Sequence, residues 1–341
     1  MRVFMTGASG FVGLNIVEAL LGAGHEVHCF IRPGARRQFL ERLPVRLITG
    51  SLDQGAQLAD AMRGADAVIH TAGQTSTNWN DIDALRAANL DSTAAILRAA
   101  RACGVARIVY TSSSATIGSS GEPNGADETA PLDGWRASSP YAQTKLAAEA
   151  LLAAPLNGPA CIILNPTEVI GAYDHTLQWG RIVLAVATAQ LPFVPPGAGT
   201  FCPAHAVGAA HVAALTRGQH GQRYLLGGHN LSFADFFAAI GAVTGCAVSA
   251  RDTRPYAVQR RLARQQERLG LPVAVDSYRM RVFGGRHFFN DGKARAELGY
   301  RAPPLASAIE ECYRWYQANG FLPADATDVA IPPTHIEWTA A

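Results

Sequence analysis

Thr6-Gly7-Ala8-Ser9-Gly10-Phe11-Val12-Gly13 follows the apolar run Arg2-Val3-Phe4-Met5 and leads into Leu14-Asn15-Ile16-Val17. The stretch reads as a strand, a tight glycine turn and the start of a helix within one βαβ unit. Gly7 permits the turn. Gly10 removes the Cβ that would stand against a pyrophosphate, and Gly13 lets the helix pack closely on the strand. The unpaired N–H groups of the helix start and its positive dipole end then face the phosphates. The reading predicts a dinucleotide held by Gly7, Ser9, Gly10, Phe11, Val12 and Gly13; the alternative is a structural turn without ligand.

Beyond the turn, β-rich runs alternate with helical patterns. Strands are predicted over Arg2 to Thr6, Glu26 to Ile31, Val45 to Ile48, Ala67 to Thr71, Arg107 to Thr111 and Ala160 to Leu164. Helices are predicted between them over Phe11 to Leu21, Leu58 to Met62, Ile82 to Cys103 and Tyr141 to Ala154. Such alternation predicts an α/β, Rossmann-type doubly wound parallel sheet. After Pro166 the pattern loosens into Pro/Gly-rich stretches such as Leu191 to Gly197, with an isolated strand candidate at Arg223 to Leu226. Helices are expected over Leu177 to Ala189, Phe233 to Thr244 and Pro304 to Asn319. The expected organisation is a cofactor unit over 1–165, rejoined by segments around 200–228. A smaller C-terminal α/β substrate lobe spans 166–325, and 326–341 form an irregular tail.

The chain has 341 residues, 48% of them hydrophobic and 16% charged, which suits a compact enzyme. A net charge of +2 gives no field that argues for DNA or RNA. The six cysteines are widely spaced and form no C-x-x-C pair, as expected of buried thiols in a reducing compartment. No leader pattern precedes the first strand and no apolar stretch reaches about 18 residues, so neither a membrane span nor a membrane partner is expected. A cytoplasmic location follows as an expectation.

The residue after the second predicted strand selects the dinucleotide: a carboxylate there accepts ribose hydroxyls, an arginine the 2′-phosphate. Here it is Arg32, followed by Arg36 and Arg37, with no acid before Glu41. NADP is therefore favoured, with NAD the alternative. The chemistry is suggested further on, by Tyr141-Ala142-Gln143-Thr144-Lys145. Ser139 can cap this helix and Pro140 suits its first turn, so Tyr141 and Lys145 fall at i and i+4 on one face. An adjacent cation would favour the phenolate and lower the tyrosine pKa. The fifth strand runs into Thr111-Ser112-Ser113-Ser114, placing hydroxyls at the carboxyl edge of the sheet, where ligands bind.

With glycine turn, serine cluster and Tyr/Lys pair in this order, the chain resembles the extended short-chain dehydrogenase/reductase (NAD-dependent epimerase/dehydratase) family. It is most similar to the dihydroflavonol 4-reductase-like and hopanoid-associated epimerase group. Further matching stretches are Ala67 to Ala72, Asn89 to Thr93, Leu164 to Gly171, Gly221 to Gly228 and Lys293 to Gly299. The resemblance implies that Ser114, or Ser113 in another register, polarises the substrate oxygen. Tyr141 would exchange the proton, Lys145 would position the ribose, and Asn89 would support the helix or a proton relay. It also implies cofactor contacts from Leu52, from His70, Thr71 and Ala72, and from Pro166 and Val169. Three positions depart from the family pattern. Ser51 stands where an acid is usual, Ala115 to Gly118 lacks an aromatic residue, and Pro203 to Val207 lacks an aspartate.

The reading favoured is reduction of an aldehyde or ketone by NADPH. Alternatives are a nucleotide-sugar epimerase or dehydratase with retained NAD(P), and a non-catalytic NADP-binding protein. The resemblance also implies a homodimer through the helices beginning near Ile82 and Tyr141. His205 and His211 lack companion ligands, so no metal is expected. The arginines from Arg251 to Arg268 read as a solvated face or a phosphate clamp, and Trp79, Trp135 and Trp179 as packing or pocket residues. Near Arg286 no phosphate-binding arginine pattern of the epimerase kind is evident.

Overall fold

The computed structural model describes residues 1–76, 81–132, 134–155, 158–252, 254–273 and 275–322. Its first half repeats strand and helix: β1 (Arg2–Thr6), α1 (Phe11–Gly22), β2 (Glu26–Ile31), β3 (Arg46–Thr49), α2 (Gly55–Met62) and β4 (Ala67–His70). The chain continues through α3 (Ile82–Arg86), α4 (Ser92–Ala102), β5 (Arg107–Thr111), α5 (Pro140–Leu152) and β6 (Ala160–Pro166). Then follow β7 (Glu168–Ile170), α6 (Gly180–Ala187), β8 (Ala198–Pro203), α7 (Ala204–Ala214), β9 (Arg223–Leu226) and β10 (His229–Ser232). The remaining helices are α8 (Phe233–Thr244), α9 (Tyr256–Arg268), α10 (Ser277–Phe283), α11 (Gly292–Leu298) and α12 (Leu305–Ala318).

Seven strands pair in parallel in the order β3-β2-β1-β4-β5-β6-β9. The order in which the chain adds strands reverses between β1 and β4, which opens a crevice at the carboxyl ends of those strands. The central strands are buried and mostly apolar, as expected where helices cover both faces. One face buries Val3, Met5, Ile69 and Val109 with Leu14 and Val17 of α1; the other buries Phe4, Val68, Ile108 and Tyr110 with Ile96 of α4.

The strand expected at Arg223–Leu226 is present: it pairs with β6 from Ile163↔Arg223 to Pro166↔Leu226 and closes one edge of the large sheet. The helix read from Ile82 to Cys103 is interrupted by a π-helical turn over Ala87–Asp91, which carries Asn89. Such turns concentrate at functional sites.

A second sheet, β10-β8-β7, pairs β7 parallel and β10 antiparallel to β8. It packs against an aromatic core that includes Phe201, Phe233, Phe236, Phe237 and Tyr316. All six cysteines are unpaired, and four of them are buried. No helix among the described residues is long and apolar enough to cross a membrane. Trp79 and the tail from 326 lie outside the described residues.

Candidate active site

The glycine turn takes the form its residues dictate. Gly7 sits at φ +73°, and a Cβ there would lie 2.4 Å from the amide nitrogen of Ala72. At Gly13 a Cβ would stand 2.1 Å from the Gly7 carbonyl oxygen. At Gly10 it would meet only that same oxygen, at 3.4 Å, so its remaining surroundings are open. Gly10 caps α1 without a side-chain bond and the first turn holds no acid. The amides of Phe11, Val12 and Gly13 therefore face this opening with no carbonyl four residues behind them in the helix. The side chains present fit a dinucleotide pyrophosphate.

Arg32 and Arg36 are exposed on the loop after β2 and form no ion pair among the described residues, whereas Arg37 pairs with Glu41 at 3.7 Å. Leu52 is half-buried beside this edge. His70 turns its ring into the interior. Thr93 donates to the Asn89 carbonyl at 2.6 Å, so His70 Nε2–H donates to Thr93 at 3.1 Å and Nδ1 accepts from Thr6 at 2.7 Å. Burial, then the nearby Lys145 charge, lowers its pKa to about 3. Any cofactor contact at His70 is thus left to its backbone, with Thr71 and Ala72 continuing along the crevice.

Asn89 is fully buried. It accepts from the Gln74 amide at 2.9 Å and donates to the Gln74 carbonyl and to Thr144, both at 3.0 Å. It thereby ties the loop after β4 to α5. Gly73 allows the close fit: a Cβ there would lie 2.8 Å from Asn89 Oδ1 and 3.3 Å from Lys145 Nζ.

Ser139 caps α5 and Pro140 occupies its first turn, as the sequence predicts. Lys145 is buried, donates to the Thr111 carbonyl at 2.9 Å, and lies 4.7 Å from the centre of the Tyr110 ring. Burial lowers its pKa to about 8, partly countered by Glu149. The expected lowering of Tyr141 by this lysine is not what the geometry gives. Burial pushes the phenol up to about 12, a hydrogen bond with Ser113 opposes the shift, and the Glu149 and Glu168 carboxylates add to it. The ammonium is directed at a carbonyl and a ring face instead of the phenol.

Of the two candidate serines, Ser113 is the one beside the phenol; its hydroxyl also caps the short turn after β5 through the Ala115 amide at 3.1 Å. Ser114 is buried in that turn. Pro166 and Val169 flank the junction of β6 and β7.

The sequence reading missed two carboxylates. Glu149 accepts from Ser112, from Thr116 at 2.8 Å and from Asn165 at 2.8 Å, and its second oxygen lies 3.7 Å from Arg223. Asn165 also donates to the Ser113 carbonyl at 3.1 Å, so this knot fixes the serine strand end. Asn165 Oδ1 is buried with no hydrogen-bond partner among the described residues. Glu149 continues the i, i+4 series of Tyr141 and Lys145, a spacing that could have revealed it. Glu168, on β7, accepts from the Trp179 indole N–H.

Elsewhere, His211 is buried between Thr111 at 2.7 Å and the Val207 carbonyl at 2.8 Å, and His205 meets Glu311 at 3.1 Å. Trp135 stacks edgewise on Tyr278, and Arg286 lies over the Phe288 ring. Arg251, Arg254, Arg260, Arg261, Arg264 and Arg268 are exposed.

Comparison with known proteins finds relatives over most of the chain. A family model described as the NAD dependent epimerase/dehydratase family matches residues 3–227. A Synechocystis sp. protein carrying the provisional name dihydroflavonol 4-reductase is 30% identical, covering 94% of this chain and 95% of its own. Sterol demethylase protein B of Methylococcus capsulatus is 28% identical over 94% and 100% of the two chains. A crystal structure of a nucleoside-diphosphate-sugar epimerase from Pseudomonas aeruginosa superposes with a TM-score of 0.75 at 26% identity, covering 94% and 99%. The chain belongs to the NAD dependent epimerase/dehydratase family and is an NAD(P)-dependent enzyme of the extended short-chain dehydrogenase/reductase type.

Proposed function

We propose that the protein is an NADPH-dependent reductase of aldehydes or ketones carried on apolar, ring-bearing molecules. The observation that carries this reading is the Tyr141 phenol, which burial holds protonated beside Ser113 at the carboxyl end of β5. Tyr141 donates its proton to the substrate oxygen, and the hydroxyl of Ser113 or Ser114 hydrogen-bonds the same oxygen as charge develops there. Lys145 offers its remaining N–H bonds to the ribose, and Asn89 braces the loop against α5. The bound nicotinamide supplies the hydride.

Arg32 and Arg36 support NADP over NAD as residues suited to a 2′-phosphate. Gly7, Ser9, Gly10, Phe11, Val12, Gly13, Leu52, His70, Thr71, Ala72, Pro166 and Val169 complete the assigned cofactor contacts. We assign 1–165 with 200–228 to the cofactor and the rest of 166–325 mainly to substrate. A homodimer through the helices beginning near Ile82 (α3 and α4) and Tyr141 (α5) is part of the same proposal. The substrate class draws on relatives whose names specify a dihydroflavonol, a sterol and a farnesyl dihydroquinoline.

Mixing the protein with NADPH or NADH and a panel of apolar carbonyl compounds should consume NADPH preferentially. Tyr141→Phe should lower the rate by roughly 100-fold or more. Equal rates in the two proteins sink the reading. A nucleotide-sugar epimerase is the second reading, supported by the Pseudomonas structure. It predicts NAD(P) retained through purification and thermal stabilisation by UDP or dTDP.

A further inference from the structure

The loop after β2 carries the arginines assigned to the 2′-phosphate, and Arg32, Arg36, Arg37 and Gln38 on it are exposed. Phe39, next along, is buried, at 7% exposure. Its ring is seated among Tyr173, His175 and Trp315, with ring centres 6.2, 5.6 and 5.3 Å away, and the Arg42 guanidinium lies over it at 5.9 Å. Tyr173 and His175 follow β7, and Trp315 lies on α12, so these aromatic walls come from the second lobe.

Tyr173 holds φ +71°, a left-handed conformation that a bulky side chain adopts only where its surroundings fix it. Its hydroxyl donates to Glu18 of α1, the Ala172 carbonyl accepts from Asn15 at 3.0 Å, and its ring packs on Trp315 at 5.9 Å. The second lobe therefore grips α1 and the arginine loop together. No more than about 11 Å of chain separates Phe39 from Arg36. Burial, and then the Arg36 charge, hold the His175 ring below its usual pKa against a bond to the Tyr173 carbonyl, which agrees with an Arg36 close to this box.

An arginine on an untethered loop must be ordered when the phosphate binds, which subtracts from affinity. A loop anchored beside its arginines loses less. NADH lacks the 2′-phosphate and gains nothing from the anchor. We propose that Phe39 is a positioning residue for dinucleotide choice: through it, Tyr173, His175 and Trp315 hold Arg32 and Arg36 in place for the 2′-phosphate. The preference for NADPH over NADH is thus set in part by residues of the second lobe. This rests on the reading above that these arginines take the phosphate, and it is independent of which substrate is turned over.

The experiment measures dissociation constants of NADPH and NADH for the full chain, by calorimetry or nucleotide fluorescence, so no substrate is needed. Trp315→Leu and Phe39→Leu each remove ring contacts from the box. Each should weaken NADPH by about 10-fold, as when the competent loop conformation falls to roughly a tenth of its population, and NADH by less than about 2-fold. In an Arg32→Ala/Arg36→Ala background the same replacements should change NADPH affinity by less than about 2-fold, because they act through the guanidinium groups. Retained NADH binding reports an intact glycine turn, and Trp315→Leu, at a half-buried ring, carries the test should Phe39→Leu fail to fold. Unchanged NADPH affinity in Trp315→Leu, equal weakening of both dinucleotides, or a full effect persisting without the arginines overturns the proposal. The last two are what a merely structural box would give. A wild-type protein that binds NADH as tightly as NADPH, or an Arg32→Ala/Arg36→Ala variant with undiminished NADPH affinity, is the failure of the arginine assignment, and this inference falls with it.

Discussion

At the scale of single residues, the serine strand end separates what spacing can say from what contact decides. Ser112, Ser113 and Ser114 are chemically identical in sequence. Their environments are not: Ser112 is committed to Glu149, Ser113 faces the phenol, and Ser114 is buried in the turn. If hydrogen bonding to Tyr141 marks the hydroxyl that polarises the substrate oxygen, Ser113→Ala should lower kcat of carbonyl reduction by roughly 10- to 100-fold with little change in KM. Ser114→Ala should cost less than half of that logarithmic loss. The reverse order would return the role to Ser114. Tyr141 and Lys145 were legible because helical spacing alone puts them side by side. Glu168 was not, because its meaning comes from Trp179, eleven positions on and brought close only by the packing of β7 against the second lobe.

At the scale of elements, the glycine turn was legible almost atom by atom, since each glycine answers to a different local constraint. Gly7 and Gly13 are forced by protein atoms 2.4 and 2.1 Å from a notional Cβ. Gly10 is constrained so weakly by the protein that its lack of a side chain makes sense only for a ligand. Gly10→Ala should therefore leave the melting temperature within a few degrees of wild type while weakening dinucleotide binding by about 10-fold or more, equivalent to ~1.4 kcal/mol. Titration by calorimetry or by nucleotide fluorescence reads this directly, and unchanged affinity would remove the pyrophosphate from this turn. What spacing leaves open is tertiary. Arg223–Leu226 reads as a strand on its own, and its place at the edge of the large sheet comes only from β6. The π turn at Ala87–Asp91 leaves the helical period almost intact, yet it points Asn89 at Gln74 and Thr144.

At the scale of the whole molecule, His211 joins the large sheet to a helix a hundred positions later: Thr111 at the end of β5 donates to Nε2, and Nδ1–H donates to the Val207 carbonyl within α7. Both ring nitrogens are used by the neutral form. Burial accordingly lowers its pKa to about 4, with the Val207 bond opposing. Above its unfolded value near 6.5 the histidine is neutral in both states and its contribution to stability is complete. As pH falls from there toward 4, only the unfolded chain takes up the proton, so the contribution shrinks by up to ~1.4 kcal/mol per pH unit. His211→Gln, whose amide retains one donor and one acceptor but does not titrate, should thus be less costly in acid. The stability difference from wild type, measured by urea unfolding at pH 7 and pH 5, should shrink by roughly 2 kcal/mol. Other groups, such as Glu168 with its opposite sign, are common to both proteins and cancel from that difference. A cost that stays constant between the two pH values would mean that His211 is not held neutral in the fold, and the Thr111–His211–Val207 link would have to be drawn with a protonated ring.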